Sequence, residues 1–231
     1  MAIAEAVRDI RERIHEACLR SGRNPAEVAL MGVSKFHGLE ELEEAWEGGI
    51  RLFGENRVQE AAEKFTVFRQ RHPEAELHMI GSLQRNKAKT AAALFDGIQS
   101  VDRDALIEEL GGLTSRRDRP LMILLELHTG EDSKTGYPDT ESLCRAAERA
   151  LSYPGLLLKG LMTMAPYTGD KREIRSAFRS LAGAKNLLES RFPGVDWSCL
   201  SMGMSGDFET AIEEGSTLVR IGTAIFGERR R

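Results

Sequence analysis

Apolar positions along the chain follow two alternating patterns. At the start, Ile3, Val7, Ile10, Ile14 and Cys18 recur at helical spacing, which predicts an amphipathic helix over 3–19 stopped by Ser21-Gly22. From Pro25 onward, apolar runs of strand length end near Val33, Phe53, Ile80, Val101, Leu127, Met162, Leu200 and Ile221. Between them, amphipathic stretches predict helices over 39–47, 57–71, 84–95, 103–114, 140–151, 172–191 and 208–214. Strands alternating with helices imply parallel pairing through right-handed crossovers. Eight such units predict a single (β/α)8 TIM barrel of the α/β class, with an extra N-terminal helix. Loss of one weak strand would leave an open doubly wound sheet instead. No linker, repeat or low-complexity tract interrupts the pattern, so residues 1–231 read as one barrel domain.

In a barrel of this kind, chemistry sits where strands end and the following loops begin. The first strand delivers Lys35 at the end of Val28-Ala29-Leu30-Met31-Gly32-Val33-Ser34-Lys35. A partly desolvated amine there can lose its proton near neutral pH and attack a carbonyl, although a solvated lysine opening a loop is the ordinary reading of a Ser-Lys pair. The other strand ends supply Gly54-Glu55-Asn56, His78 ahead of the loop from Gly81 to Lys87, then Glu126 and His128 with Lys134 beyond. Later ends supply Met162-Thr163-Met164, Ser201-Met202-Gly203-Met204-Ser205 and Arg220-Ile221-Gly222-Thr223. Gly203, Ser205, Gly206, Gly222 and Thr223 lie in the two loops where such barrels bind phosphate through backbone N–H groups and hydroxyls. Tight turns alone would also explain the glycines. A lysine facing a phosphate site suits pyridoxal phosphate, which carries an aldehyde and a phosphate. Arg220 cannot accept a proton from a pyridinium, so beside the ring nitrogen it would leave that nitrogen neutral and carbanions poorly stabilised.

Composition narrows the function classes. The 231-residue chain carries a formal net charge of −4, with basic residues interspersed among acidic ones apart from Arg229-Arg230-Arg231, which argues against a dedicated nucleic-acid binder. No stretch approaches the roughly 20 apolar residues that cross a bilayer, and no apolar signal core opens the chain, so a cytoplasmic protein is expected. Cys18, Cys144 and Cys199 read as reduced structural thiols. The five histidines (His15, His37, His72, His78, His128) show no metal-ligand spacing, and no metal is expected. Glu40, Glu41, Glu43, Glu44 and Glu47 read as a solvated helix face. Arg85, Lys87 and Lys89 form a small basic cluster. Met162, Met164, Met202 and Met204 read as core filling.

Read in order, several stretches resemble the pyridoxal-phosphate homeostasis (YggS-like) family, whose members have the alanine-racemase-type barrel without its second domain. They are Val33-Ser34-Lys35, Phe53-Gly54-Glu55-Asn56-Arg57-Val58-Gln59-Glu60, and His78 through Lys87. Ser133-Lys134-Thr135-Gly136, Gly160 through Met164, Leu200 through Ser205 and Gly215 through Gly227 continue the match. The resemblance implies a fold type III pyridoxal 5'-phosphate binder with Lys35 as its Schiff-base lysine. Asn56 would lie beside the ring, Arg220 at the pyridine nitrogen, and Ser201, Gly222 and Thr223 on the phosphate. It also implies a non-catalytic role in cofactor and amino-acid homeostasis, with apoenzymes that need the cofactor as possible partners. The chain departs from the family's commoner pattern at Phe36-His37 and at Glu126 and His128. Ending at Arg231, it is expected to lack a racemase's second domain; Tyr137, Tyr153 and Tyr167 do not supply the opposing base, and a monomer is expected. A weak racemase-type enzyme and a cofactor-free Schiff-base aldolase are the alternatives.

Overall fold

The computed structural model describes residues 2–115, 117–130 and 135–228. Helix α1 (Ile3–Arg20) buries Ile3, Val7, Ile10, Ile14 and Cys18 along one stripe, as the spacing predicts. Strands β1 (Ala29–Val33), β2 (Leu52–Glu55), β3 (Glu76–Met79), β4 (Gly97–Val101), β5 (Leu121–Glu126), β6 (Leu156–Met162), β7 (Cys199–Ser201) and β8 (Leu218–Ile221) follow. They interleave with α2 (Leu39–Glu47), α3 (Val58–Arg71), α4 (Ala88–Leu94), α5 (Asp104–Thr114), α6 (Thr140–Leu151), α7 (Lys171–Arg191), α8 (Phe208–Glu213) and the short α9 (Thr223–Phe226). All eight strands are parallel, and the sheet closes because β1 pairs with β8 as well as β2. Helix α1 packs beside α2, α8 and α9, covering the seam where the ring closes.

Side chains alternate across each strand, so every strand feeds two cores. The outward set joins the helices: Phe53 of β2 meets Phe65 and Phe68 of α3 edge-on, with ring centroids 5.6 and 5.4 Å apart. The inward set includes Met31, Val33 and Leu218, packed with Leu52, Ile80 and Cys199. Gly54 is inward too: a Cβ there would lie 2.6 Å from the Met31 sulfur, so no larger residue fits beside that methionine.

The elements differ from the sequence pattern at their ends. The stretch 84–95 opens with a 3-10 turn (Arg85–Lys87) before α4, and a second such turn (Pro25–Glu27) precedes β1. Strand β2 runs to Glu55 and β7 to Ser201, because pairing with β3 and β6 continues past the apolar run. Helix α9 is only four residues long, too short for periodicity to reveal. Among the described residues, no helix is long and apolar enough to cross a membrane.

Candidate cofactor site at the barrel mouth

The alternation along β1 sets the direction of Lys35. Met31 and Val33 face the barrel interior, and Ser34 faces outward to α3, so the next side chain turns inward at the mouth. The same count on β2 places Gly54 inward, Glu55 outward and Asn56 inward. Strand β8 lies alongside: Gly32 is level with Ile221, and a Cβ on Gly222 would sit 3.4 Å from the Val33 carbonyl. Lys35, Asn56, Gly222 and Thr223 therefore gather on one side of the mouth.

The turn carrying Lys35 is gripped from both sides. Ser34 donates its hydroxyl to Glu55 Oε1 at 2.7 Å, and Lys64 Nζ donates to the Ser34 carbonyl at 2.8 Å. Lys64 also pairs with Glu55 at 2.7 Å and Glu60 at 3.0 Å, and the Phe36 N–H donates to Glu60 Oε1. Phe36 has φ of 69°, a left-handed conformation unusual for an aromatic residue, so these bonds hold a strained turn just beyond the amine. Burial pushes the Glu55 carboxyl above its usual range, against the opposing pull of Lys64. His37 stacks on Phe226 with ring centroids 5.0 Å apart, tying the turn to α9.

Deeper in the barrel, Arg220 is only 4% exposed. Its Nη1 donates to Ser201 Oγ at 2.6 Å and its Nη2 to the Thr163 carbonyl at 2.8 Å. Burial lowers its pKa to about 10, with Asp207 and Glu126 pulling the other way, so it remains a cation at neutral pH. Glu126, singled out from the sequence as a strand-end residue and a departure from the family pattern, is thus a buried carboxylate acting on the arginine.

The other residues singled out from the sequence are spread over several parts of the barrel. Ser201 lies in the barrel interior, its hydroxyl accepting from Arg220 and donating to Gln99 Oε1 at 2.6 Å. Ser205, in the next loop, reaches the β8 loop instead, accepting from the Ala224 N–H at 3.3 Å. His78 points into the lower barrel toward Glu76 and Gln99, away from the mouth. Arg85 of the basic cluster pairs with Glu109, and Glu43 of the acidic run with Arg71 and His72. Tyr137 is buried and donates to Asp104, Tyr153 lies against Gly111, and Tyr167 is exposed. Ser133 and Lys134 lie outside the described residues. Sequence reasoning missed Lys64, Glu60 and Gln99. The i,i+4 spacing of Glu60 and Lys64 on α3 was a usable signal, whereas Gln99 sits in a strand with no motif around it.

The chain matches the model for the N-terminal domain of alanine racemase over residues 7–230. The pyridoxal phosphate homeostasis protein of Vibrio alginolyticus is 39% identical over 231 residues, spanning 99% of this chain and 98% of that protein. That of Escherichia coli K12 is 39% identical over 98% of this chain and 97% of that protein. The chain belongs to the pyridoxal phosphate homeostasis protein family. Among solved structures, the family member PipY of Synechococcus elongatus, with pyridoxal phosphate bound, superposes with a TM-score of 0.82 at 35% identity, over 94% of this chain and all of that one. A histidine racemase from Leuconostoc mesenteroides shares the fold at a TM-score of 0.75 and 18% identity, over 99% of this chain and 57% of that one. The two homeostasis proteins are thus matched over 98% and 97% of their length, and the racemase over 57% of its own.

Proposed function

We propose that this protein binds pyridoxal 5'-phosphate at the mouth of a barrel formed by residues 1–231, holding it through a Schiff base at Lys35, and serves cofactor homeostasis rather than catalysis. The observation that carries the reading is the convergence at the barrel mouth of Lys35, in the turn just past β1, with a buried arginine donor and the two phosphate-type loops after β7 and β8. An orphaned polar atom at the mouth fits such a group. Asn56 Oδ1 is buried without a hydrogen-bond partner at the inward position beside Lys35, a place a bound ring would satisfy. Arg220 donates only, which suits an unprotonated ring nitrogen. When bound, the cofactor supplies an electrophilic aldehyde and an electron-withdrawing ring.

The chain's residues divide the work. Glu55, Glu60 and Lys64 fix the peptide on either side of Lys35, so the amine is presented from a rigid turn. Gly222 and Thr223 offer the phosphate backbone and hydroxyl donors. Ser205 is assigned the hydroxyl contact first expected of Ser201, since the Ser201 hydroxyl is already engaged below. Arg220 keeps the ring nitrogen unprotonated and so limits proton abstraction at a bound amino acid. A soluble, cytoplasmic carrier that passes cofactor to apoenzymes is consistent with the family names of its relatives.

The test is spectroscopic. Titrating the protein with pyridoxal phosphate should give a saturable visible band characteristic of a lysine-bound cofactor, absent in Lys35→Ala. No band, or an equal band in Lys35→Ala, would refute the assignment.

A further inference from the structure

We propose that Gln99 is a positioning residue for Arg220, which it steers through Ser201 as part of a one-way hydrogen-bond chain crossing the barrel to Glu76. The chain has four links. Arg220 Nη1 meets Ser201 Oγ at 2.6 Å, Ser201 Oγ meets Gln99 Oε1 at 2.6 Å, Gln99 Nε2 meets His78 Nδ1 at 2.9 Å, and His78 Nε2 meets Glu76 Oε1 at 2.8 Å. Five residues from β8, β7, β4 and β3 thus join the proposed ring-nitrogen contact to the opposite end of the barrel.

Both ends of the chain are chemically fixed, and this sets every link between them. Arg220 has donors only, so Ser201 must accept from it and spend its one proton on Gln99 Oε1. The amide then turns its NH2 toward His78, whose Nδ1 must accept, leaving the imidazole proton on Nε2 facing Glu76. A carboxylate ends the chain as a pure acceptor. Every donor therefore points the same way, an arrangement in which each bond polarises the next.

Packing keeps alternatives out. Gln99 and Ser201 are fully buried and His78 is 2% exposed, so the upper links are shielded from bulk water. Gly97 makes room for the ring: a Cβ there would lie 2.7 Å from His78 Nε2. Glu76 is half exposed, so the chain ends at solvent. Other titratable groups about this end include Cys199 and Glu27, which line the same lower cavity as His78, Arg69 of α3, which acts on Glu76, and Asp196 and Lys159, which with Glu76 act on Cys199. Glu126 and Asp207 attract the charge of Arg220 at the other end, but neither is part of the chain that sets which atom its Nη1 faces.

The chain itself does not require a cofactor; only its consequence for one rests on the function proposed above. Two-bond 1H–15N spectra of the histidine-labelled protein, taken without cofactor at neutral pH, should show His78 neutral with its proton on Nε2. Gln99→Glu replaces the donor facing Nδ1 by an acceptor, so His78 should become doubly protonated. Glu76→Gln keeps an acceptor at the end and should leave the tautomer unchanged. A proton on Nδ1 in the unaltered protein, or a His78 indifferent to Gln99→Glu, would overturn the proposal. With pyridoxal phosphate, Gln99→Leu should speed cofactor release about tenfold and shift the pH profile of the visible band, as loss of a buried bond to a charged group's partner predicts. Unchanged release and spectrum in a folded Gln99→Leu would also overturn it. Should Gln99→Leu fail to fold, the Gln99→Glu spectrum still decides. If the unaltered protein binds no cofactor, the functional reading fails while the His78 spectrum judges the chain alone.

Discussion

Single hydrogen-bond partners separate Ser201, the last residue of β7, from Ser205 in the loop that follows. Ser201 Oγ has its proton on Gln99 and its lone pair on Arg220, whereas Ser205 Oγ lies between the β7 and β8 loops. Ser205→Ala should therefore weaken binding of pyridoxal phosphate about tenfold, the loss expected for one hydrogen bond to a charged group, while leaving pyridoxal unaffected. Ser201→Ala should disturb both ligands alike, because it acts through Arg220. Paired titrations with the two ligands check this, and equal losses for both ligands in Ser205→Ala would return the phosphate contact to Ser201. At this scale the sequence was only partly legible. Lys35 stands out as a cation ending an apolar run and Arg220 as a cation within the last one. Which of two nearby serines faces the mouth depends on where β7 ends, and its apolar run stops at Leu200, one residue short of the strand's end.

The turn between β1 and α2 is held by an element that is not its neighbour in sequence. Helix α3 brings Glu60 and Lys64 over the Lys35 turn, and Lys64 supplies the counter-charge for the fully buried Glu55. Lys64→Met removes that cation and should destabilise the fold by about 3 kcal/mol, the usual cost of leaving a buried charge unpaired. The variant should also acquire a pH dependence of known sign. Burial raises the folded-state pKa of Glu55 above its ordinary 4.5, and losing Lys64 raises it further. A carboxyl with a raised folded value stabilises the fold fully below 4.5, and that stability is lost as pH rises through the folded value. Thermal melts of Lys64→Met should thus show a higher midpoint near pH 5 than near pH 8, relative to the unaltered protein. A pH-independent difference would contradict the pairing. The elements themselves were legible from apolar periodicity, including α1, β1 through β8 and the seven helices α2 through α8. The clamp was not, because it depends on side chains that the barrel brings together from β1, β2 and α3.

Closure of the ring gives the molecule its two distinct ends. The upper end gathers Lys35, Asn56, Gly222 and Thr223, and the lower end holds the cavity of about 480 Å³ lined by His78, Cys199 and Met122. Eight strand-like runs foretold that closure, and the mouth followed from the rule that such barrels react at their strand ends. His78 shows the rule's limit: it lies within β3, three residues into a four-residue strand, so its ring is carried downward and inward. A second whole-molecule expectation concerns turnover. On the proposal that Arg220 would donate to the ring nitrogen, the loaded protein incubated with L- or D-alanine in deuterated water should show no enzyme-like exchange at Cα by NMR. Rapid exchange would assign the racemase-type alternative. The central claim is that Lys35 is the cofactor's anchor. Its most direct test is borohydride reduction of the loaded protein followed by peptide mass mapping. One added cofactor, carried on the peptide containing Lys35, is expected. Labelling confined to any other lysine, or no stable adduct in protein that shows the visible band, would contradict it.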